Sequence, residues 1–348
     1  MTSKKPLAGR RATIRDVAEL ANVSISTVSH VFSGSRPISD KTKERVRQAA
    51  RQLNYQADPS ARSLRSSKAG IIGLILRPRD AIHGTLRGTE TFQALLSSIA
   101  THALEQGRGL IHVPDVLDAT ATNVAMDVCI VAHPYLGDQV VAELRSRGVP
   151  IVMIDADPEH SDIPWVVNME FDSAVREILD AMYAEGRRRI TFISGTESNG
   201  WNRISTQAYF DWCAAHGLPA EHLAVYEGTG IKGSIELAHE LLTRETVPDA
   251  ILTGPSTFAR GVLDVAQELG VEVPESLSLA ALTDSELTRS SAPPITSLEL
   301  PMEQAGAEAV KLAISLADDG DPPAEPLVVH PRIRWRDTLS SPKERPST

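Results

Sequence analysis

The chain holds only two cysteines, Cys129 and Cys213, far apart and without Cys-x-x-Cys spacing. Neither a disulfide framework nor a thiolate zinc site can organise such a chain. Its ten histidines are scattered: His102 and His112 stand ten residues apart on different expected elements, and no H-x-x-x-H or H-E-x-x-H occurs. No metal and no cofactor are therefore expected. No stretch approaches the roughly twenty consecutive apolar residues that a membrane span requires. Residues 1–11 carry four positive charges with no apolar region behind them, so a secretory signal is not expected and a cytoplasmic, nucleoid-associated protein is. Catalytic signatures are missing too: there is no G-x-S-x-G, no H-E-x-x-H and no phosphate-cradling P-loop. Isolated acids such as Asp155 and Asp284 are more often solvated or structural than catalytic, so the chain is read as a non-enzyme.

What is present is enough for two or three domains: 348 residues, 42% of them hydrophobic. The net charge of -10 hides a division. Residues 1–69 hold 14 Lys and Arg against 5 Asp and Glu, net +9, whereas the remainder holds 21 against 40, net -19. A basic head suits a phosphate backbone, where counterion release makes binding salt-dependent, and an acidic body suppresses indiscriminate adhesion.

The head is punctuated by helix caps. Thr13 with Asp16 matches the S/T-x-x-D/E capping signature, and Ile14, Val17, Ala18 and Ala21 recur on one helical face. Asn22 and Val23 interrupt that helix. Ser24, with Thr27 three residues on, offers a cap for a second helix from Ile25 to Phe32, with Val28, Val31 and Phe32 inward. Ser39 then caps a third, running to about Leu53, whose Val46, Ala49, Ala50 and Leu53 close a three-helix core. Two short helices joined by a tight turn make a helix-turn-helix, whose second helix enters the major groove. By position Ile25, Ser26, Ser29 and His30 reach base edges. A plainer reading treats the exposed Ser and Thr residues as helix caps alone.

At these residues a resemblance appears. The run TIRDVAELANVSISTVS, Thr13 to Ser29, resembles the N-terminus of the lac/galactose repressor family, and Leu53, Asn54 and Tyr55 and the run Ala61, Arg62, Ser63, Leu64 and Arg65 fall at matching spacing. The resemblance implies a sequence-specific regulator, a repressor, that binds a pseudo-palindromic operator in double-stranded DNA as a homodimer. It also implies a hinge helix that forms on the operator and wedges Leu64 into the minor groove; unstacking there costs a few kcal/mol, offset by the contacts that bent DNA allows. The candidate DNA contacts are thus Thr13, Ser24, Ile25, Ser26, Thr27, Ser29, His30, Ser39, Thr42, Tyr55, Ala61 and Leu64.

Beyond the head, strand and helix patterns alternate. Strands are expected at 71–76, 109–113, 127–131, 150–154, 164–168, 189–194, 223–227, 249–253 and 277–282. Helices are expected at 89–106, 138–147, 172–185, 203–216, 233–244, 258–269 and 302–317. Such alternation predicts an α/β body with doubly wound parallel sheets. A break near Asn168 to Asp172 divides it into comparable halves. The resemblance implies two lobes like those of type I periplasmic sugar-binding proteins, joined by three crossovers. The expected organisation is a flexible basic tail (1–11), the helix-turn-helix domain (12–57), a hinge (58–69), the effector-binding and dimerisation core (70–339) and a disordered tail (340–348). Lobe one is expected at about 71–168 and 296–319, and lobe two at about 169–292 and 323–338.

One literal G-x-G-x-x-G, Gly228 to Gly233, follows a strand-like Ala224 to Glu227. A dinucleotide site would need it in the first βα unit, with an acid about 20 residues on that ends a strand. Asp249 instead begins one, so a plain strand-to-helix loop is expected. A cleft that closes on a small-molecule effector, a sugar or another metabolite, is favoured over catalysis. Its candidate residues are Arg203, at the family's effector-binding arginine position, then Asp155, Arg77 and Trp201, with Thr283 and Asp284. Departures weaken a hexose pocket: Thr283 replaces an aspartate that in many relatives holds sugar hydroxyls, and Met169, Glu170 and Phe171 stand where V-D-N is usual. Two alternatives remain at this point: a nucleotide-dependent enzyme with an accessory DNA-binding head, and a constitutive DNA binder with a degenerate cleft.

Overall fold

The computed structural model describes residues 12–33, 36–55, 68–77, 90–113, 116–117 and 124–339. The expected basic tail, most of the hinge with Ala61 and Leu64, and the C-terminal tail lie outside them. The chain forms two compact units, Met1–Gly70 and Ile71–Thr348.

The first unit contains α1 (Ile14–Leu20), α2 (Ile25–Ser33) and α3 (Asp40–Gln52). Asp16 accepts from the Thr13 backbone N–H at 2.7 Å and from its hydroxyl at 2.7 Å, which holds the start of α1. Asn22 turns the chain between α1 and α2 at φ 49°, left-handed space that asparagine tolerates better than most residues. Val17, Ala18, Ala21, Val28, Val46, Ala49 and Ala50 are buried together, and Ile14, Val31, Phe32, Leu53 and Tyr55 pack around them. These are mostly small side chains, so the unit buries little apolar surface for its length and its caps weigh heavily in its stability.

The second unit is two α/β lobes. Its elements in chain order are β1 (Ile71–Leu76), α4 (Glu90–Glu105), β2 (Gly109–His112), β3 (Val128–Ala132), α5 (Gln139–Ser146), β4 (Ile151–Ile154), β5 (Val166–Met169) and α6 (Phe171–Ala184). Next come β6 (Ile190–Gly195), α7 (Gly200–His216), β7 (Glu221–Val225), α8 (Gly230–Thr243), β8 (Ala250–Thr253), α9 (Ser256–Glu268) and β9 (Ser278–Ala281). The chain closes with the short α10 (Glu286–Arg289), β10 (Thr296–Glu299), α11 (Met302–Ala317), β11 (Leu327–Val329) and β12 (Arg332–Arg334). One sheet has the order β11-β5-β4-β3-β1-β2, and the other β12-β10-β9-β8-β6-β7. Every pairing is parallel except β10 with β12.

Alternation explains the continuous apolar runs. In β3, Val128, Ile130 and Ala132 face the core beneath α4 and α11, while Cys129 and Val131 face the core with Val140, Val141 and Leu144 of α5. A strand buried on both faces needs apolar residues at every position. In the second lobe Ala250 and Leu252 face one core and Ile251 the other. There α8 and α9 approach so closely that a Cβ on Gly261 would lie 2.9 Å from the Ile231 carbonyl oxygen, which only glycine permits.

Two expected boundaries differ. Strand β10, expected in lobe one, pairs with β9 in the second sheet, and β11, expected in lobe two, pairs with β5 in the first. The chain therefore crosses at Glu170, at Leu300 and Pro301, and at His330 and Pro331, each just after a strand ends. The expected strand at 223–227 ends at Val225, because Tyr226 leads into a one-turn 3-10 segment at Glu227–Thr229, and α8 then begins at Gly230 rather than near Gly233.

Candidate functional site

In the first unit, α2 presents the candidate base-reading face. Ser24 Oγ accepts the Thr27 amide at 3.1 Å and also meets the hydroxyls of Ser26, at 2.7 Å, and Thr27, at 2.8 Å. Ile25 is 41% exposed despite its apolar side chain, Ser26 is exposed, and Ser29 and His30 are half-buried. An apolar side chain left in water at the start of a helix suits a thymine methyl or a groove wall. Ser39 stands at the N-cap of α3, but its hydroxyl pairs with that of Thr42 at 2.9 Å and not with a backbone amide, so its expected capping bond is not made. Tyr55 packs its ring on Phe32, with centroids 5.9 Å apart. Arg36, Lys41, Arg45, Arg47 and Arg51 are exposed around these helices, as phosphate-facing cations need to be.

In the second unit the topology dictates where a cavity forms. The chain leaves β1 for β2 on one side and returns to β3 on the other, and in the second sheet β6 is flanked likewise by β7 and β8. Crevices open at the carboxyl ends of strands at such switch points. A cavity of about 590 Å³ lies there, lined from the first lobe by Phe92 and His133 and from the second by Trp201, Glu227 and Ser256, with Phe171 and Leu300 from two of the crossovers. Its size is within the usual range for small-molecule sites.

His133 follows β3 directly and is 4% exposed. Its Nδ1 lies 2.7 Å from Asp155 Oδ2, while Asp155 Oδ1 takes the Met169 amide at 3.0 Å. A carboxylate only accepts, so Nδ1 donates to Asp155; when the ring is neutral, Nε2 is left as an acceptor. That Nε2 is buried without a hydrogen-bond partner, as is the indole Nε1 of Trp201. Both His133 and Asp155 adopt positive φ, 54° and 65°. Each costs roughly 1–2 kcal/mol for a side chain bearing Cβ, and the pair sits where two strand ends feed the cavity.

Two links join the lobes beside the cavity. Tyr135 Oη donates to Glu197, and Tyr135 forms an isolated bridge with Asn199. Opposite, Glu90 at the start of α4 accepts from Arg289 Nη2 at 2.7 Å and from the Glu286 amide at 2.9 Å. The carboxylates of Glu90 and Asp284 hold Arg289 above its ordinary pKa.

Of the residues expected at the cleft, Trp201 and Thr283 line the cavity. Thr283 Oγ1 accepts the Ser256 amide at 2.7 Å, so it caps α9. The other four do not reach the wall, three of them because their charged groups are bound elsewhere. Asp155 is buried behind His133 with both oxygens occupied. Arg77 turns its guanidinium to Asp138, 2.6 Å away, and lies over the Tyr135 ring. Asp284 is taken up by Thr288, Arg289, Ser297 and Arg336 at 2.6–2.9 Å. Burial works to raise its pKa, but the hydrogen bonds from Ser297, Arg289, Arg336 and Thr288 outweigh that and hold it below the ordinary value. Arg203 sits in the first turn of α7, beside Trp201 but off the wall, with its Nε buried and unpartnered.

Sequence reasoning missed His133, Phe92 and Phe171. Phe171 stood in the open as a departure from the expected V-D-N, and His133 lies two residues beyond the expected strand 127–131; what was lacking was the strand order that makes those ends a switch point. The glycine-rich loop reaches the cavity through Gly228, Thr229, Gly230 and Ile231. It follows β7, an edge strand and the second of its lobe, and Asp249 spends its carboxylate on the Arg188 and Arg189 amides at 2.9–3.2 Å.

Residues 13–58 match the family profile "Bacterial regulatory proteins, lacI family", and residues 179–339 match "Periplasmic binding protein-like domain". Catabolite control protein A of Priestia megaterium is 27% identical over 307 residues, 86% of this chain and 91% of that protein. The HTH-type transcriptional repressor PurR of Haemophilus influenzae (strain PittEE) is 26% identical over 346 residues, 95% of this chain and 99% of that protein. Among solved structures, a lac repressor dimer bound to operator and the anti-inducer ONPF superposes with a TM-score of 0.77 at 19% identity, covering 94% of this chain and 99% of that one. The complex of the transcriptional regulator CelR with cellobiose gives 0.67 at 21% identity, over 94% and 100%. With a lacI-type helix-turn-helix head followed by a two-lobed periplasmic-binding-like body, the chain belongs to the lacI family of bacterial regulatory proteins.

Proposed function

We propose that this protein is a transcriptional repressor that binds a pseudo-palindromic DNA operator as a homodimer and is controlled by a small molecule held between the lobes of its body. The observation that carries this reading is the joining, in one chain, of a capped, outward-facing α2 to a body whose cleft leaves the polar atoms of His133 and Trp201 unpartnered. A groove-reading helix supplies sequence recognition. A closable cleft supplies a second equilibrium for a ligand to bias, and linkage requires that operator and ligand alter each other's affinity by the same factor. The protein acts in the cytoplasm, at the nucleoid, and catalyses no reaction. Among the described residues no helix is long and apolar enough to cross a membrane.

Leu64 is the proposed minor-groove wedge, and Ala61 a further proposed DNA contact; both lie outside the described residues. The test is fluorescence anisotropy of full-length protein on the inverted repeat nearest its own gene, against a scrambled duplex, across a salt series. The repeat should bind with a 10³-fold or greater preference, and Leu64→Ala should weaken repeat binding far more than scrambled binding. Equal affinity for both duplexes in the wild type would remove the repressor reading.

A further inference from the structure

Resting on the reading of the cleft as an effector site, we infer that its ligand is an uncharged and mainly apolar ring compound, an aromatic or alicyclic alcohol or amide, and not a free sugar or an organic acid. Three observations point there.

The first is charge. The described wall carries Glu90, Glu197, Glu227 and Glu286 and no lysine or arginine. Glu227 is held by the Thr196 and Glu197 amides at 3.0–3.1 Å and by Asn202 Nδ2 at 2.8 Å, while Glu90 is held by Arg289. Among the described wall residues an anionic ligand would meet carboxylates and no lysine or arginine to offset them, at low dielectric. A cationic ligand at Glu90 or Glu227 would have to displace the partners that these two acids already have.

The second is shape and polarity. Phe92, Phe171 and Trp201 line the cavity with Leu287, Leu300 and Met302, surfaces that take an apolar ring.

The third is the count of polar groups still open. A sugar would bury several hydroxyls, each of which needs a partner. Several wall groups already hold one protein partner each: Thr283 Oγ1 accepts the Ser256 amide at 2.7 Å, Ser256 Oγ accepts from Ser285 Oγ at 2.8 Å, Thr229 Oγ1 donates to the Tyr226 carbonyl at 2.7 Å, and Asn199 Oδ1 accepts the Asn202 amide at 2.9 Å. Among the described residues two buried ring nitrogens on the wall are unpartnered: Nε2 of His133 in the first lobe, an acceptor when the ring is neutral, and the donor Nε1 of Trp201 in the second. They ask for one hydrogen-bond donor and one acceptor on the ligand, and a group that serves both spans the lobes.

The experiment titrates full-length wild-type protein, by calorimetry and tryptophan fluorescence, with two matched pairs: 4-hydroxybenzamide against 4-hydroxybenzoate, and phenyl β-glucoside against cellobiose. The amide should bind at least about tenfold more tightly than the benzoate, and the phenyl glucoside more tightly than the disaccharide. Trp201→Phe, which keeps the ring and removes the donor, should weaken the amide about tenfold, an ordinary loss for one buried hydrogen bond; His133→Gln should restore more binding than His133→Phe. Tighter binding of the benzoate or of cellobiose would overturn the ligand class and leave the effector cleft standing. No binding by any of the four, with no effect on DNA affinity, would overturn both. Neutral binding unchanged in Trp201→Phe and in His133→Phe would overturn the two-point contact.

Discussion

At the scale of single residues, the carboxylate of Asp284 shows how burial and hydrogen bonding compete. Its pKa lies below the ordinary value, so its ionised form favours the folded body, and that contribution is fully present above about pH 4, the unfolded value. It is lost as pH falls through the depressed folded value. The melting temperature of the wild type should therefore drop steeply below about pH 4. Asp284→Asn should lower stability at neutral pH by roughly 1–3 kcal/mol, through the bonds lost to Arg336 and Ser297, and should flatten the acid limb; an unchanged acid limb would refute the assignment. His30 is the residue-scale test of the head. His30→Ala should relax base preference at one operator position at a cost of about 1–3 kcal/mol, read by binding to a set of single-position operator variants.

At the scale of elements, α2 depends on one side chain for its start. Ser24 Oγ satisfies the Thr27 amide, one of the first-turn donors that no carbonyl can reach. Ser24→Ala should destabilise the head by about 1 kcal/mol, whereas Ser24→Asp should not. Hydrogen exchange of the Thr27 amide in the full chain measures this directly, and protection unchanged in the alanine variant would contradict it. The cap also orders the residues that follow, Ile25 and Ser26, so base preference and stability should fall together.

For the whole molecule, the two interlobe links decide how firmly the body closes. Glu90 and Arg289 are each a little over two-fifths exposed, so their ion pair is worth no more than about 1 kcal/mol. Glu90→Gln should therefore weaken ligand affinity by several-fold and not abolish it, and should make that affinity less dependent on salt. In the variant, as in the wild type, ligand should change operator affinity by the same factor as operator changes ligand affinity, because the coupling is reciprocal. Calorimetry of the variant at two salt concentrations checks both; an unchanged salt dependence would show that the link does not carry closure.

Much of this protein is legible along the chain. Caps, short-range apolar spacing and buried-strand runs are local signals, which is why α1 to α3 with Ser24 and Asp16, and the run Ile71 to Leu76, can be read from the sequence alone. Trp201 is also within reach, beside a helix start. The occupants of the cleft are not. Arg77, Asp155 and Asp284 carry the right chemistry at strand ends, yet partners 13 to 61 residues away in sequence, among them Asp138, His133 and Ser297, draw them off the wall. His133 and Phe171 come onto it for the same reason in reverse: strand order places their strand ends together. Periodicity and capping are properties of a few neighbouring residues, so the sequence by itself determined the elements and the family. Which polar atoms stay unpartnered depends on every group that folding brings near them, and only the tertiary structure decided that.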